Sequence, residues 1–367
     1  LNATLVAAAP GTEATAVTQL PADIKEALAQ PGAVILVGER AAASAGTLSA
    51  VSELAASTGA SLAWIPRRAG ERGALEAGAL AGLLPGGRDI TDATAREFVA
   101  GVWGSASLPS HKGRNGEQIL RAAAAGELAA LVVAGVDPND SSTPALFEQV
   151  LAADTFIVSL ETRHSAVTQA ADVVFPVAVV TEKQGSFVNW EGRLQSFGAV
   201  SHTTTILSDA RVLADIADAM GVSAFPTTVT AIRREMQTLR TVRDVNAHST
   251  AAPSSAAAAS VDGVRLATWH ELLDAGTLQG GEPFLAATAR PVVARMSADT
   301  AAAAGIADGD TVSIACNGAS IELPAAITAG MVSNTVWVPS NAVECNPSVT
   351  LQAHAGAVVN ITRAGGR

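Results

Sequence analysis

The stretch AVILVGERAAASAGTLSAVSELAASTGASLAWI, Ala33–Ile65, decides the fold class. It opens on five apolar residues, Ala33–Val37, closed by Gly38, which is the length and composition of a fully buried strand. A helical stretch follows, with Leu48, Val51, Leu54 and Ala55 at helical spacing and a stop at Gly59. Ala60–Ile65 then supplies a second apolar run. Parallel strands need a crossover, usually a helix, so strand–helix–strand predicts a parallel pair with helices covering the sheet.

Working outward, Ala22–Gln30 reads as a short helix that follows Pro21 and stops at Pro31-Gly32. Downstream lies a Gly/Arg-rich region, Pro66–Arg88, and a weakly periodic stretch to Gly126. The alternation then resumes. Leu131–Ala134 predicts a strand ending at Gly135, and Pro144–Ala153 a helix with Pro at its first position. Phe156–Leu160 and Val173–Val180 predict two more strands. Pro176 cannot donate to a ladder, which places the second at an edge or a strand end. A helix over Ala210–Met220, capped by Asp209 and stopped by Gly221, completes this part. Helical spacing at Ile232–Val242 gives way to His248–Ser260, almost entirely Ala, Ser, Thr and Pro, which reads as a linker.

The last hundred residues change period. Asn317-Gly318 joins two alternating runs, a strong hairpin signal. A two-residue turn there sets Cys316 against Ala319, Ile314 against Ile321 and Val312 against Leu323, all on one face, with Ser313 and Glu322 on the other. This predicts a small β-barrel with Cys316 as a buried core thiol. Four spans result: an α/β domain over 1–126, a second over 127–225, a helix and Ala/Ser-rich linker over 226–262, and a barrel over 263–367.

Composition narrows the function. Of 367 residues 49% are hydrophobic and 16% charged, which describes a globular protein rather than a disordered one. A net charge of −11 and basic groups no denser than Arg67/Arg68 and Arg233/Arg234 argue against nucleic-acid binding. Two cysteines, Cys316 and Cys345, cannot ligate an iron–sulphur cluster, which needs about four thiolates. The six histidines (111, 164, 202, 248, 270, 354) show no i, i+4 pairing, so no metal site is expected. Ser110 beside His111 lacks a nucleophile elbow and is no triad. Val37-Gly38-Glu39-Arg40 lacks the G-x-G-x-x-G spacing and reads as a structural turn. The uncharged run Leu323–Val343 is broken by Pro324, Asn334, Pro339 and Asn341, so no membrane span is expected. Leu1-Asn2-Ala3 has neither an initiator Met nor a charged n-region and reads as an internal start.

The most informative segment is Thr181–Gln195, TEKQGSFVNWEGRLQ. Two glycines, an Asn and an alternating Glu/Arg after an apolar strand fit a loop that a ligand or another domain approaches closely. They fit a tight, solvated surface turn as well. The segment resembles the E-x-x-G-[ST]-x-x-N-x-E-G-R-x-Q signature of the molybdopterin oxidoreductase family, through Glu182, Gly185, Ser186, Asn189, Glu191, Gly192, Arg193 and Gln195. Gly135-Val136-Asp137-Pro138-Asn139 and Ala171–Pro176 (ADVVFP) resemble that family's G-x-[ND]-P-x turn and A-D-x-V-[LF]-P strand. Ala294–Ser297, Gly305–Val312 and Thr328–Met331 resemble its dinucleotide-binding barrel.

The E-G-R-x-Q ending is similar to the branch formed by the large iron–sulphur subunits of respiratory NADH:quinone oxidoreductase (complex I). That resemblance implies a parallel-sheet α/β region followed by a small β-barrel, acting as scaffold and without bond chemistry in this segment. Its iron–sulphur clusters would sit on cysteines upstream of Leu1, and its partners would be other subunits of the peripheral arm. It would lie at the cytoplasmic face of the inner (plasma) membrane. Gly135, Asn139, Arg163, His164, Gly185, Asn189, Glu191 and Arg193 would be the vestige of a pterin pocket, with no catalytic residue and no bound cofactor. Arg193 would then pair a carboxylate or backbone carbonyls across a domain interface. The alternative within the family is the C-terminal part of a true molybdopterin enzyme, of formate dehydrogenase or nitrate reductase type.

Overall fold

The computed structural model describes residues 3–66, 68, 70–201, 205–222, 225–240 and 263–365. The linker expected at His248–Ser260, together with His202 and His248, lies outside them. Two helices, α1 (Glu13–Thr18) and α2 (Ala22–Leu28), lead into β1 (Val34–Gly38), α3 (Thr47–Thr58) and β2 (Ser61–Ile65). β1 and β2 pair in parallel, Val34 beside Ser61 through Gly38 beside Ile65, as the crossover requires. Gly59 ends α3 in the left-handed conformation at φ 78°, its N–H bonded to the Ala55 carbonyl.

Burial departs from expectation here. Val34 and Leu36 are exposed, and α3 buries Thr47, Ala50, Val51 and Ala55 while Leu48 faces out. A helix buries the stripe its neighbours cover, and that stripe runs through the alanines rather than the leucines.

The stretch 66–126, which lacks periodicity, is ordered as short elements. These are α4 (Glu71–Glu76), a hairpin of β3 (Leu83–Leu84) and β4 (Arg88–Asp89), α5 (Ala93–Trp103) and α6 (Gly116–Ala124). Side-chain caps start the two longer helices. Asp92 accepts the first N–H groups of α5, and Asn115 with Gln118 forms a reciprocal capping box on α6.

A three-stranded parallel sheet of β5 (Ala130–Ala134), β6 (Phe156–Glu161) and β7 (Val173–Pro176) follows, with α7 (Pro144–Leu151) and α8 (Ala166–Ala170) as crossovers. Pro176 is the last residue of an edge strand, where its missing N–H costs nothing. β7 therefore ends four residues short of the expected Val180. Asp172 fixes the register of this edge: its carboxylate accepts the Ile157 N–H at 2.7 Å while its own N–H donates to the Ile157 carbonyl at 2.9 Å. One core packs Leu120, Phe147, Val150, Ile157 and Val167 together.

The antiparallel hairpin β8 (Gly185–Val188) and β9 (Leu194–Phe197) precedes α9 (Asp209–Ala219) and α10 (Val229–Leu239). The cap of α9 is Ser208 rather than Asp209. Six strands, β10 (Val264–Trp269), β11 (Ala294–Met296), β12 (Thr311–Cys316), β13 (Ala319–Ile327), β14 (Thr335–Pro339) and β15 (Val358–Arg363), close a barrel in the order β10-β14-β11-β13-β12-β15. The Asn317-Gly318 turn has both residues at positive φ, 52° and 81°, the twist a two-residue hairpin favours. The pairs Val312–Leu323, Ile314–Ile321 and Cys316–Ala319 are those expected. Cys316 is only half-buried, packed against the edge of the barrel core; Cys345 is the buried thiol, and its burial pushes the pKa up to about 12.

Contacts group the chain otherwise than the four spans read from composition. One compact unit takes Leu1–Ile65, Ser142–Ala145 and Ser249–Arg367, the other Pro66–Ser141 and Leu146–His248. The division falls after β2, inside the span 1–126, because the first strand pair packs in a unit with the barrel. Within that unit the Arg40 guanidinium lies 4.3 Å from the centre of a Trp269 ring.

Candidate functional site

The candidate residues occupy two places in the second unit. The first is the carboxyl end of β5 and β6, where an open α/β sheet presents ligand contacts. Gly135 leaves β5 with φ 61° and donates its N–H to the Leu160 carbonyl at 3.1 Å. Asp137 then caps a single 3-10 turn, accepting from the Asn139 N–H at 2.9 Å. Arg163 and His164 follow the end of the neighbouring strand and are exposed. Sheet topology thus brings the Gly135–Asn139 turn and the Arg163-His164 pair to one end of adjacent strands.

The second place is the loop of the β8–β9 hairpin. Asn189 closes it from both backbone and side chain. Its N–H donates to the Arg193 carbonyl at 3.1 Å, its carbonyl accepts from the Gly192 N–H at 2.9 Å, and its Oδ1 accepts from the Arg193 N–H at 2.8 Å. Gly192 takes φ 82°, which the tight turn demands. Gly185 has a different reason. A Cβ there would meet the Phe197 ring at 2.5 Å, and that ring stacks on Phe187 with centroids 4.9 Å apart. Arg193 pairs with Glu191 of its own loop at 3.2 Å, with 76% of its side chain exposed. The Asn189 Nδ2 also reaches Glu191, at 3.4 Å.

Four residues outside the signature complete the arrangement. Arg233 of α10 donates to the Gly185 carbonyl at 2.6 Å and to the Ser186 hydroxyl at 3.1 Å. Arg240, just past α10, donates to the Gly192 carbonyl at 3.0 Å. In α4, Arg72 pairs with Glu76 at 2.8 Å, and Glu76 also faces Arg240 at 3.9 Å. In the sequence Arg233 is only half of a basic doublet. A hydrogen bond spanning 48 residues has no local signature.

Four guanidinium groups and two carboxylates therefore surround one hairpin, and every guanidinium already has an acceptor. Chemically this is a cross-braced turn. The Asn189 Oδ1 and the Gly185 and Gly192 carbonyls are all taken as acceptors within this brace. Ser110 and His111 do touch, Oγ to Nδ1 at 3.1 Å, on an exposed loop. Among the described residues no three His, Cys, Asp or Glu side chains gather into a metal-holding group. Nor is any helix among them long and apolar enough to cross a membrane.

Parallel α/β sheets carrying this hairpin, followed by a closed six-stranded barrel, define the class. The chain belongs to the molybdopterin oxidoreductase family, which matches residues 7–219, and a molydopterin dinucleotide binding domain matches residues 272–365. It is 46% identical over 369 residues to the G subunit of the NADH-quinone oxidoreductase of Mycobacterium bovis, covering 98% of this chain and 45% of that one. It is 43% identical over 373 residues to the protein of the same name from Streptomyces coelicolor, covering 98% and 44%. Formate dehydrogenase H of Escherichia coli is 31% identical over 159 residues, 41% of this chain and 21% of that one. The chain spans less than half the length of the Mycobacterium bovis and Streptomyces coelicolor relatives.

Proposed function

We propose that this chain is the scaffold portion of the large iron–sulphur subunit of a proton-pumping NADH:quinone oxidoreductase. It supports electron transfer from NADH to quinone and performs no bond chemistry itself. The observation that carries this reading is the extent of the likeness. Two relatives named as NADH-quinone oxidoreductase subunits match along 98% of the chain, whereas formate dehydrogenase H matches along 41%. The hairpin supports it from the chemical side, since Asn189, Arg193 and Arg233 hold the turn itself. On this reading Gly135, Asn139, Arg163, His164, Gly185, Asn189, Glu191 and Arg193 keep the outline of a pterin pocket without its ligand. No cofactor binds in this segment, and iron–sulphur clusters belong to a part of the polypeptide outside these residues. Partners are the other subunits of the peripheral arm, at the cytoplasmic face of the inner (plasma) membrane.

Elemental analysis of the full-length polypeptide, purified with the complex, tests the proposal. Iron without stoichiometric molybdenum or tungsten is the expected result. Either of those metals in one-to-one amount would replace it with the molybdopterin-enzyme reading.

A further inference from the structure

Both parallel sheets leave large apolar side chains uncovered. In the β1–β2 pair Val34 stands beside Ser61, Leu36 beside Ala63 and Gly38 beside Ile65, so these side chains share a face. Val34 is 50% exposed, Leu36 66% and Ile65 37%; on the opposite face Val37 is buried, while Leu62 and Trp64 are 44% and 39% exposed. The three-stranded sheet repeats the pattern at its β5 side. Ala130 pairs with Phe156, which sets Phe156 and Val132 on one face, and these are 47% and 52% exposed. Parallel sheets occur almost only with both faces covered, and their strands are apolar for that reason. A two-stranded sheet is also below the size that holds by itself in water.

We propose that segments of the same polypeptide, outside residues 1–367, cover these faces and complete both sheets. The proposal rests on the reading of the chain as part of a longer polypeptide. Relatives aligned along 98% of this chain have more than half of their length outside the matched region, which is ample for further strands and helices. A second copy is a poorer occupant. A stable dimer buries roughly 800 Å² per partner, more than three large side chains and an alanine on β1 and β2 can present. A covalently tethered segment loses far less translational freedom on docking, so a small apolar face suffices to hold it.

Site-specific photocrosslinking in the full-length polypeptide, within the assembled complex, tests this. p-Benzoylphenylalanine is placed at Leu36 and, in a second variant, at the exposed Ser61 on the same face, where a bulky side chain is better tolerated. After irradiation the joined peptides are identified by mass spectrometry. The expected products link these positions to peptides of the same polypeptide outside the 367 residues. Products within these residues, products on another subunit, or no product from either variant would overturn the proposal. Denaturing mass spectrometry of the native polypeptide separates the two failures: a chain no longer than 367 residues removes the underlying reading, whatever the crosslinks.

Discussion

Arg233→Ala should loosen the β8–β9 hairpin far more than Arg193→Ala, although Arg193 is the signature residue. Arg233 makes two charge-assisted hydrogen bonds, at 2.6 Å to the Gly185 carbonyl and 3.1 Å to the Ser186 hydroxyl, in a half-buried setting. A hydrogen bond to a charged group contributes about 1.5–3 kcal/mol. Partial solvation in this half-buried setting discounts the two together to about 2 kcal/mol, below the sum of their full values. Opening of the hairpin then becomes about 30-fold more frequent, at a factor of ten per roughly 1.4 kcal/mol. Arg193, 76% exposed and paired to a Glu191 that is 44% exposed, belongs to the class of surface pairs that contribute about 1 kcal/mol at most, or about fivefold. Hydrogen–deuterium exchange of the Phe187 and Phe197 amides, both in hydrogen-bonded pairs of the ladder, measures both effects directly in the intact protein. Arg233→Lys, which keeps the charge and one of the two bonds, should fall between wild type and alanine. Equal loss of protection in Arg193→Ala and Arg233→Ala would refute the division of labour drawn here.

Gly185→Ala drives a methyl group into the Phe197 ring and should unstack it from Phe187. The cost is about 1 kcal/mol, the scale of a ring pair, read as a lower urea midpoint. Asn317→Ala puts a Cβ residue without a carboxamide at φ 52° and removes the Nδ2 bond to the Leu351 carbonyl at 2.9 Å; it should destabilise the barrel by about 1–2 kcal/mol, and an unchanged melting temperature would contradict this. Cys345, its pKa pushed up to about 12 by burial, should resist iodoacetamide at pH 8.5 while the half-buried Cys316 reacts, as peptide mass spectrometry would show. The sign of its pH effect follows from that shift. The neutral thiol favours the folded state, so its contribution is complete below the ordinary value of 9.0 and is lost as pH rises from there through about 12. Cys345→Ala should flatten that alkaline decline, and a decline of unchanged steepness would count against it.

Local chemistry makes part of this fold legible in the sequence. The Asn317-Gly318 turn and its cross-strand pairs follow from period-two alternation and from the φ > 0 that these two residues accept. Pro176 marks an edge because it lacks a donor. Residues 66–126 resist such reading because their helices are short and start on caps rather than on long apolar stripes; the Asn115/Gln118 capping box is the available signal. Exposure on β1 runs against its composition because an apolar run reports what a strand is suited to touch, not what lies beside it. At the hairpin, the signature takes in Asn189, which closes the loop, but not the cationic residues that brace it from outside. Arg233 and Arg240 reach it from 48 residues away, through tertiary packing that no spacing encodes.

The self-closed loop at Asn189 has a bearing on how such a polypeptide matures. Its shape is written by bonds between its own carboxamide and its own backbone, so the turn carries its own closure. On the scaffold reading proposed above, such a polypeptide would be assembled into a larger machine directly after synthesis, without a dedicated insertion step and without an empty, pliable intermediate that would need protection in the meantime.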